Sequence, residues 1–407
     1  MKNDVLLLGL GMQGKAALYD LSKSEYVNNI IVVDSNPKIE EELKKYNSDK
    51  VKGFVIDIVN QRDKIVSLMK NVDVVVDLLP SKFTFEIAKI AAEVGVNLVS
   101  AMYFNDPAEE DPARIKERET ALKELDKIAQ QKDIILLSEF GLDPGLDLIL
   151  GKKAISEFDE VHDFYSYGAG FPEFSAANNP LKYKFTWSII GVLLSYNRPA
   201  TIIKDGKVIE IPAREIFEQK NVHILEIEQL SASVECYPNG NSAHYAEIMG
   251  IKNTVKNMGR FTCRWPGHVA FWEKMVKCGF LSKEPISVRD QKVIPIEFCA
   301  ALLGNQEQFH YGPSERDIAF IRIDVKGICR GKNKRVIYQI IDFRDMNTGL
   351  TAMSRTTGFT AAIGAELILK GDITKKGLLT PLDVPFSIIE KEVTKRGIKI
   401  DYFSYFD

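Results

Sequence analysis

The chain has 407 residues and a formal net charge of −3, with 45% hydrophobic and 27% charged residues. These proportions are typical of an ordinary globular protein, and the length predicts two or three domains. The small negative charge offers no basic field for nucleic acid, and no apolar run approaches the roughly 20 residues of a membrane-spanning helix. We therefore expect neither nucleic acid nor a membrane as a partner.

The five cysteines are scattered along the chain and include no C-x-x-C pair. An odd number without paired spacing predicts reduced thiols, with neither a disulfide framework nor a metal site. Because an apolar strand pattern begins close to Met1, we also expect no signal peptide and a cytoplasmic location.

The first 34 residues contain a strand, a glycine-rich turn, a helix and a second strand. The turn follows an apolar run and reads Gly9-Leu10-Gly11-Met12-Gln13-Gly14. In this context G-x-G-x-x-G indicates dinucleotide binding: the first glycine permits the tight turn, the second admits the pyrophosphate, and the third lets helix and strand pack closely. We expect the pyrophosphate at the helix N-terminus, where free N–H groups point toward it.

Asp34 bears on which dinucleotide is bound. It ends the second strand, 20 positions beyond Gly14, where a carboxylate accepts hydrogen bonds from the adenosine ribose. A carboxylate there repels a 2′-phosphate, so the sequence favours NAD as the cofactor, with NADP less favoured.

Strand and helix patterns alternate as far as Ser138, and the strands are continuous apolar runs. This pattern predicts a parallel sheet covered on both faces, a Rossmann-type α/β domain at residues 1–140. Its ligands are expected beyond the carboxyl ends of the strands. Of the residues at such ends, Asp57, Leu79 and Pro80 are predicted to contact the cofactor, and Met102 with Tyr103 the substrate.

The pattern changes at Gly141. Asp143 and Pro144 are predicted as the N-cap and first residue of a helix. Hairpin signals follow at Asp205-Gly206 and between two longer alternating segments, 318–325 and 335–343. We predict an inserted α+β domain on an antiparallel sheet at 141–352, and a segment at 353–407 that returns to the Rossmann domain.

Several motifs go beyond generic patterns. Gly141-Leu142-Asp143-Pro144-Gly145 and Asn179-Pro180-Leu181-Lys182-Tyr183-Lys184-Phe185-Thr186-Trp187-Ser188 resemble two blocks of the glutamate-forming saccharopine dehydrogenases. Shorter blocks of that family follow in the same order at 237–239, 262–267 and 315–317. The resemblance thus runs along nearly the whole chain, and the tail at 372–377 is also similar to the related lysine 6-dehydrogenases.

The resemblance implies oxidation of the secondary amine of saccharopine with a nicotinamide cofactor, followed by imine hydrolysis to glutamate and 2-aminoadipate 6-semialdehyde. The reaction belongs to lysine metabolism, and the partner is a small amino-acid substrate; a homodimer is one possible assembly. The glycine turn together with Leu142, Asp143, Pro144 and Gly145 is then expected to contact the cofactor. The expected substrate contacts are Tyr103, Trp187, Thr262, Cys263 and Arg264.

One position departs from the family pattern. The family block reads Tyr-Pro-Asn-Arg, and its arginine helps to hold a substrate carboxylate, whereas this chain has Gly240. Either Lys182, Lys184 or Arg260 replaces that cation, or the substrate carries a different group there. The departure keeps a lysine 6-dehydrogenase, or another amine-oxidising member of the family, as an alternative; a non-catalytic dinucleotide-binding protein is a second one.

The chemistry requires cations and a proton acceptor. Saccharopine carries three carboxylates, and an arginine meets a carboxylate with two parallel hydrogen bonds, so Arg264 is the expected clamp. The amine has a pKa of roughly 10 and must lose a proton before hydride leaves. His244 and Asp143 are the principal candidate bases, with His268 and Glu139 beside them; the sequence does not assign one.

Overall fold

The computed structural model describes residues 3–46, 49–105, 109 and 111–406. Its strands, numbered in chain order, are β1 (Asp4–Leu8), β2 (Asn29–Asp34), β3 (Val51–Val55), β4 (Val74–Asp77), β5 (Asn97–Ser100), β6 (Ile135–Leu137), β7 (Glu160–Pro172), β8 (Ala200–Lys204), β9 (Lys207–Ile211), β10 (His223–Ile227), β11 (Ala232–Pro238), β12 (Asn257–Arg264), β13 (Ile286–Val288), β14 (Gln291–Val293), β15 (Asp317–Cys329), β16 (Lys332–Phe343), β17 (Gly377–Leu379) and β18 (Ile400–Phe406).

The α-helices are α1 (Met12–Lys23), α2 (Ile39–Leu43), α3 (Arg62–Met69), α4 (Ser81–Val94), α5 (Pro112–Gln131), α6 (Leu146–Ile155), α7 (Ile189–Tyr196), α8 (Ser242–Ile248), α9 (His268–Lys277), α10 (Pro295–Gly304), α11 (Ala352–Lys370) and α12 (Phe386–Lys395). Within the described residues, none of these helices combines the length and the apolar character needed to cross a bilayer.

The chain divides into two compact units. The first comprises Met1–Ile149 and Ser354–Ile398, and the second Leu150–Met353 and Lys399–Asp407.

The first unit is built on a seven-stranded parallel sheet in the order β17-β6-β5-β4-β1-β2-β3. The central strands β1 and β4 are almost wholly buried, as expected when helices cover both faces of a parallel sheet. Strand order reverses beside β1, which places the glycine turn at the switch point where such sheets bind ligands. The predicted Rossmann-type class is confirmed.

The second unit is built on a nine-stranded sheet with the path β10-β11-β12-β7-β15-β16-β18, to which β8 and β9 attach through β12. The predicted hairpins are present as β8–β9 and as the long β15–β16 pair. The sheet is mixed, because β7 and β12 run parallel, whereas the other pairs of the described strands in this sheet are antiparallel.

The C-terminal segment does not return as one piece. Strand β17 pairs with β6 in the first sheet, and the Leu378 N–H donates to the Asp126 carboxylate of α5 at 2.7 Å. Strand β18 instead pairs with β16 in the second sheet, from Lys334↔Phe406 to Ile340↔Ile400. The expectation for 353–407 therefore fails at its last strand, whose own residues do not specify which edge they join.

Candidate active site

The glycine turn, residues 9–14, has the backbone that its three glycines predict. Gly9 has φ +91°, and a Cβ there would lie 2.8 Å from the Leu78 carbonyl oxygen. A Cβ on Gly14 would lie 2.0 Å from the Gly9 carbonyl oxygen. Both positions therefore exclude a side chain. A Cβ on Gly11 would meet nothing within 4 Å, which leaves the approach to the backbone open.

Helix α1 begins at Met12 directly after this turn. Its N-cap residue Gly11 has no side chain to satisfy the first N–H groups, and the first turn holds no acidic residue. The positive end of the helix dipole favours an anion here. The turn thus fits a dinucleotide pyrophosphate, with Leu10, Met12 and Gln13 beside the glycines.

Asp34 does not present a free carboxylate. One oxygen accepts the Leu10 N–H at 2.6 Å, and the other accepts the Asn36 N–H at 2.8 Å. The side chain thus braces the glycine turn and the turn after β2. Sequence spacing alone cannot distinguish this structural use from a ribose contact.

Asp57, Leu79 and Pro80 lie just beyond the carboxyl ends of β3 and β4, as predicted. The Asp57 carboxylate accepts the Val59 N–H at 3.0 Å and so holds its own turn. Leu79 is half-buried, whereas Pro80 is exposed and is the N-cap of α4.

Asp77, at the end of β4, was not singled out from the sequence. It is fully buried and accepts hydrogen bonds from the Leu79 N–H and the Ser100 hydroxyl. Burial raises the pKa of this carboxyl to about 6, although the two hydrogen bonds act in the opposite direction.

The segment Gly141–Gly145 forms a tight turn between β6 and α6. Its ends are bridged at Gly141 and Gly145, and a Cβ on Gly145 would lie 2.0 Å from the Gly141 carbonyl oxygen. The predicted helix start is wrong: α6 begins at Leu146, and the Asp143–Pro144 peptide bond is cis. Asp143 is exposed in the turn rather than capping the helix.

Arg264, at the end of β12, has the most unusual surroundings of the predicted substrate residues. Its side chain is 4% exposed, and no carboxylate in the described part of the chain pairs with it. Its guanidinium carbon lies 4.7 Å from the centroid of the Tyr183 ring, and Nη1 donates to the Cys263 carbonyl at 2.8 Å. We call Arg264 with Tyr183, Tyr196, Tyr237 and His268 the arginine site.

A hydrogen-bonded chain orients Arg264. His268 Nδ1 lies 3.2 Å from the Leu181 carbonyl oxygen, which only accepts, so Nδ1 carries the proton. Nε2 then accepts from the Tyr196 hydroxyl at 2.9 Å, and the Tyr196 oxygen accepts from Arg264 Nε at 3.4 Å. Burial and the positive charge of Arg264 lower the pKa of His268 to about 3. His268 is thus a neutral positioning residue, which the sequence suggested only as a lone histidine beside a motif.

The other predicted substrate residues of the second unit divide into two groups. The Trp187 indole lies beside the Tyr183 hydroxyl, and Thr262 shares one face of β12 with Arg264. Cys263 is on the opposite face, fully buried, with its Sγ 3.0 Å from that of Cys236. The structure therefore does not bring the Cys263 side chain together with Arg264.

Three cations were candidates to replace the family arginine at position 240. Lys184 is buried and paired with Glu315 at 2.6 Å, and Lys182 is exposed with its Nζ 3.3 Å from the Pro266 carbonyl oxygen. Arg260 is the one beside Gly240: a Cβ there would lie 3.8 Å from its Nη1. Arg260 also stacks on Tyr245, its guanidinium carbon 4.1 Å from the ring centroid.

The surroundings of the remaining predicted residues are described within their own units. His244 is exposed on α8, where Tyr245 is its ring neighbour. Met102 and Tyr103 are half-buried after β5, in the first unit, where the Met102 carbonyl accepts the Glu139 N–H at 3.1 Å.

Comparison with known proteins covers both units. Residues 5–137 match the saccharopine dehydrogenase NADP binding domain, and residues 141–398 match the saccharopine dehydrogenase C-terminal domain. The model superposes on apo saccharopine dehydrogenase (L-Glu forming) from Saccharomyces cerevisiae with a TM-score of 0.81 at 23% identity, covering 99% of this chain and 100% of that one. Homospermidine synthase from Legionella pneumophila gives 0.65 at 12% identity, covering 100% and 92%.

Two sequence relatives differ in length. Bovine mitochondrial alpha-aminoadipic semialdehyde synthase is 28% identical over 441 residues, which cover 93% of this chain but 45% of that protein. The chain thus spans less than half of that relative. Saccharopine dehydrogenase [NADP(+), L-glutamate-forming] from Schizosaccharomyces pombe is 23% identical, with 98% of each chain covered.

These matches correct the cofactor prediction. The matching N-terminal domain is an NADP binding domain. The Schizosaccharomyces pombe relative and one from Saccharomyces cerevisiae, 24% identical, are both described as NADP(+) enzymes, so the expectation of NAD from Asp34 is wrong. Both oxygens of Asp34 accept backbone N–H groups, so the position of this carboxylate is also explained by its contacts with the two turns. With family domains matched from residue 5 to residue 398, this chain belongs to the saccharopine dehydrogenase family.

Proposed function

We propose that this protein is an NADP-dependent saccharopine dehydrogenase that forms L-glutamate and 2-aminoadipate 6-semialdehyde, or catalyses the reverse reaction. The observation that carries the proposal is Arg264, a buried guanidinium without a carboxylate partner in the described residues. A buried unpaired charge costs several kcal/mol, and a substrate carboxylate would relieve it.

In this proposal the glycine turn and the start of α1 hold the pyrophosphate, with Leu142–Gly145 as a further contact. The exposed turn after β2, which includes Ser35 and Lys38, is the proposed contact for the 2′-phosphate. Lys38 supplies positive charge there, whereas Asp34 is held back by its two backbone hydrogen bonds. When bound there, NADP would supply a hydride acceptor for the carbon beside the secondary amine.

The residues of this chain would bind the substrate and take up its proton. Arg264 binds a carboxylate, and its orientation is fixed by Tyr196 and His268. His268 is an unsuitable base, because it is buried and both ring nitrogens are engaged. Of the two principal candidate bases, we propose Asp143 as the proton acceptor, since it is an exposed carboxylate in the Gly141–Gly145 turn.

A second candidate function is the oxidation of the primary amine of lysine. Gly240 favours it, because a substrate with fewer carboxylates needs fewer cations. Lysine carries a single carboxylate, which Arg264 alone could bind.

Location and assembly are also proposals. The described cysteines are all free thiols, which supports a cytoplasmic enzyme. That the protein forms a homodimer is still only a prediction from the sequence.

The test is a spectrophotometric assay of the purified protein with saccharopine or lysine and with NADP or NAD. We expect saccharopine with NADP to give the largest kcat/KM, at least 10-fold above saccharopine with NAD, and glutamate to form in equal amount to the reduced cofactor. Turnover of lysine with saccharopine inert would establish the second candidate. Absence of turnover with either amine would reject both.

A further inference from the structure

We propose that Arg198, oriented by Asn239, is a second carboxylate-binding cation of the substrate site and selects substrates that carry two carboxylates. The inference rests on the proposed function for the identity of the substrate. It adds a residue that lies between α7 and β8, outside the motifs of the resemblance.

Arg198 is half-buried and held by one neutral group. Its Nη2 donates to the Asn239 side-chain oxygen, and its buried Nε has no hydrogen-bond partner in the described residues. No carboxylate pairs with this guanidinium in the described part of the chain. A guanidinium has five N–H donors, so several remain for a ligand.

Asn239 is itself fixed, so the direction of Arg198 is defined. The Asn239 side-chain N–H donates to the Thr262 hydroxyl at 2.9 Å, and its backbone N–H donates to the Arg260 carbonyl at 2.8 Å. The amide therefore presents its oxygen to Arg198 and its nitrogen to β12. This arrangement fixes the direction of the Arg198 guanidinium.

The support continues to the arginine site. Thr262 and Tyr237 are cross-strand partners, and the Tyr237 hydroxyl lies near Thr262, Tyr196 and Arg264. Hydrogen bonds thus connect Arg198 through Asn239 to Thr262, and Arg264 is the next residue on the same face of β12. Two guanidinium groups without carboxylate partners in the described residues, supported from one face of β12, match a ligand with two negative charges.

Gly240 provides the space for this arrangement. It has φ +77°, and the nearest atom to a Cβ there is Nη1 of Arg260 at 3.8 Å. No side chain at 240 stands between Asn239 and the neighbouring guanidinium groups. The positive charge that the family block carries at position 240 is then supplied in this chain by Arg198, which lies on another part of the fold.

The experiment compares glutarate, with two carboxylates, and butyrate, with one, by isothermal titration of the full-length protein saturated with NADPH. We expect the wild type to bind glutarate at least 10-fold more tightly than butyrate. Arg198→Met should reduce that ratio to about 2-fold or less and leave butyrate affinity within about 2-fold, because Arg264 still binds one carboxylate. Arg198→Lys should retain part of the preference.

The matched control is Arg214→Met, which removes the same charge from a side chain that is 78% exposed and should keep the wild-type ratio. Asn239→Ala tests the support without removing the cation and should lower the ratio about 3-fold or more. An unchanged preference in Arg198→Met, or no glutarate preference in the wild type, would overturn the inference. A preference that depends on Arg198 in a protein inert toward saccharopine would keep it and reject the proposed function.

Discussion

Asp77 shows how a single buried carboxyl can make stability depend on pH. The folded protein raises the pKa of Asp77 from the usual 3.8 to about 6, chiefly through burial. Between these values the native state binds more protons than the unfolded state, so stability falls as pH rises through about 6. The free energy of unfolding falls by about 3 kcal/mol in total, which is the energetic equivalent of this pKa shift.

Asp77→Asn should remove this dependence. The amide can accept from the Leu79 N–H and donate to the Ser100 hydroxyl, so both contacts survive. We expect the melting temperature of the variant minus that of the wild type to rise by roughly 5–10 °C between pH 4 and pH 7.5. Calorimetry across that range measures the difference. Asp63→Asn, an exposed change on α3, is the control and should show no such trend; a pH-independent difference for Asp77→Asn would refute the assignment.

Among individual residues, the glycine turn was predicted well from the sequence, because local steric constraints explain why each of its positions is a glycine. It predicted the cofactor wrongly, since the same aspartate spacing serves either a ribose or the backbone of the turn. It also could not connect Tyr196 to Arg264 and His268, because Tyr196 lies 68 and 72 positions from them in the chain and meets them only in the folded unit.

Among the elements, α11 has a direct effect on the start of α1. Gly358 lies at their contact: a Cβ there would be 2.4 Å from the Gln13 carbonyl oxygen and 2.8 Å from the Ala16 Cβ. The obstructing oxygen belongs to backbone, so the helices would have to separate. Helix α11 thus helps to set the position of the helix N-terminus that we propose binds pyrophosphate.

Gly358→Ala should therefore weaken cofactor binding without touching the cofactor. Overpacking costs typically 1–3 kcal/mol, which exceeds the gain of up to about 1 kcal/mol from replacing a glycine within a helix. We expect a lower melting temperature and a Kd for NADPH raised about 3- to 10-fold, measured by fluorescence titration.

Gly53→Ala is the matched control in the same unit. Its Cβ would meet Cδ1 of Leu43, the end of a flexible side chain that can move aside. Its effect on the Kd should stay within about 2-fold. Equal affinity in Gly358→Ala and the wild type would show that α11 does not position the turn.

Helices and strands were predicted correctly where the hydrophobic periodicity was strong. The prediction failed where a strand pairs with a segment that is distant in the sequence. Continuous apolar runs identified the parallel strands, and Asp205-Gly206 identified the β8–β9 hairpin. The start of α6 was misplaced because Asp143-Pro144 has the composition of a helix start but forms a turn. The partner of β18 was missed because local alternation does not say which of two sheets a strand extends.

For the whole molecule, the two units divide the proposed chemistry. In the proposal, the first supplies a backbone turn and a helix N-terminus that bind a dinucleotide. The second supplies a buried arginine that binds a substrate carboxylate. Composition and alternation were enough to predict the two architectures. Substrate identity was not predictable to the same degree, because it depends on which cations the fold leaves without a carboxylate partner.

In the proposed reaction, hydride leaves the lysine-derived carbon beside the secondary amine of saccharopine, so that glutamate is released. Single turnover with saccharopine deuterated at carbon 6 of its lysine moiety, followed by mass spectrometry of the cofactor, shows which carbon loses hydride. We expect one deuterium in NADPH from this substrate and none when the label is at carbon 2 of the glutaryl moiety. Deuterium from the glutaryl carbon, with release of lysine, would refute the proposed reaction.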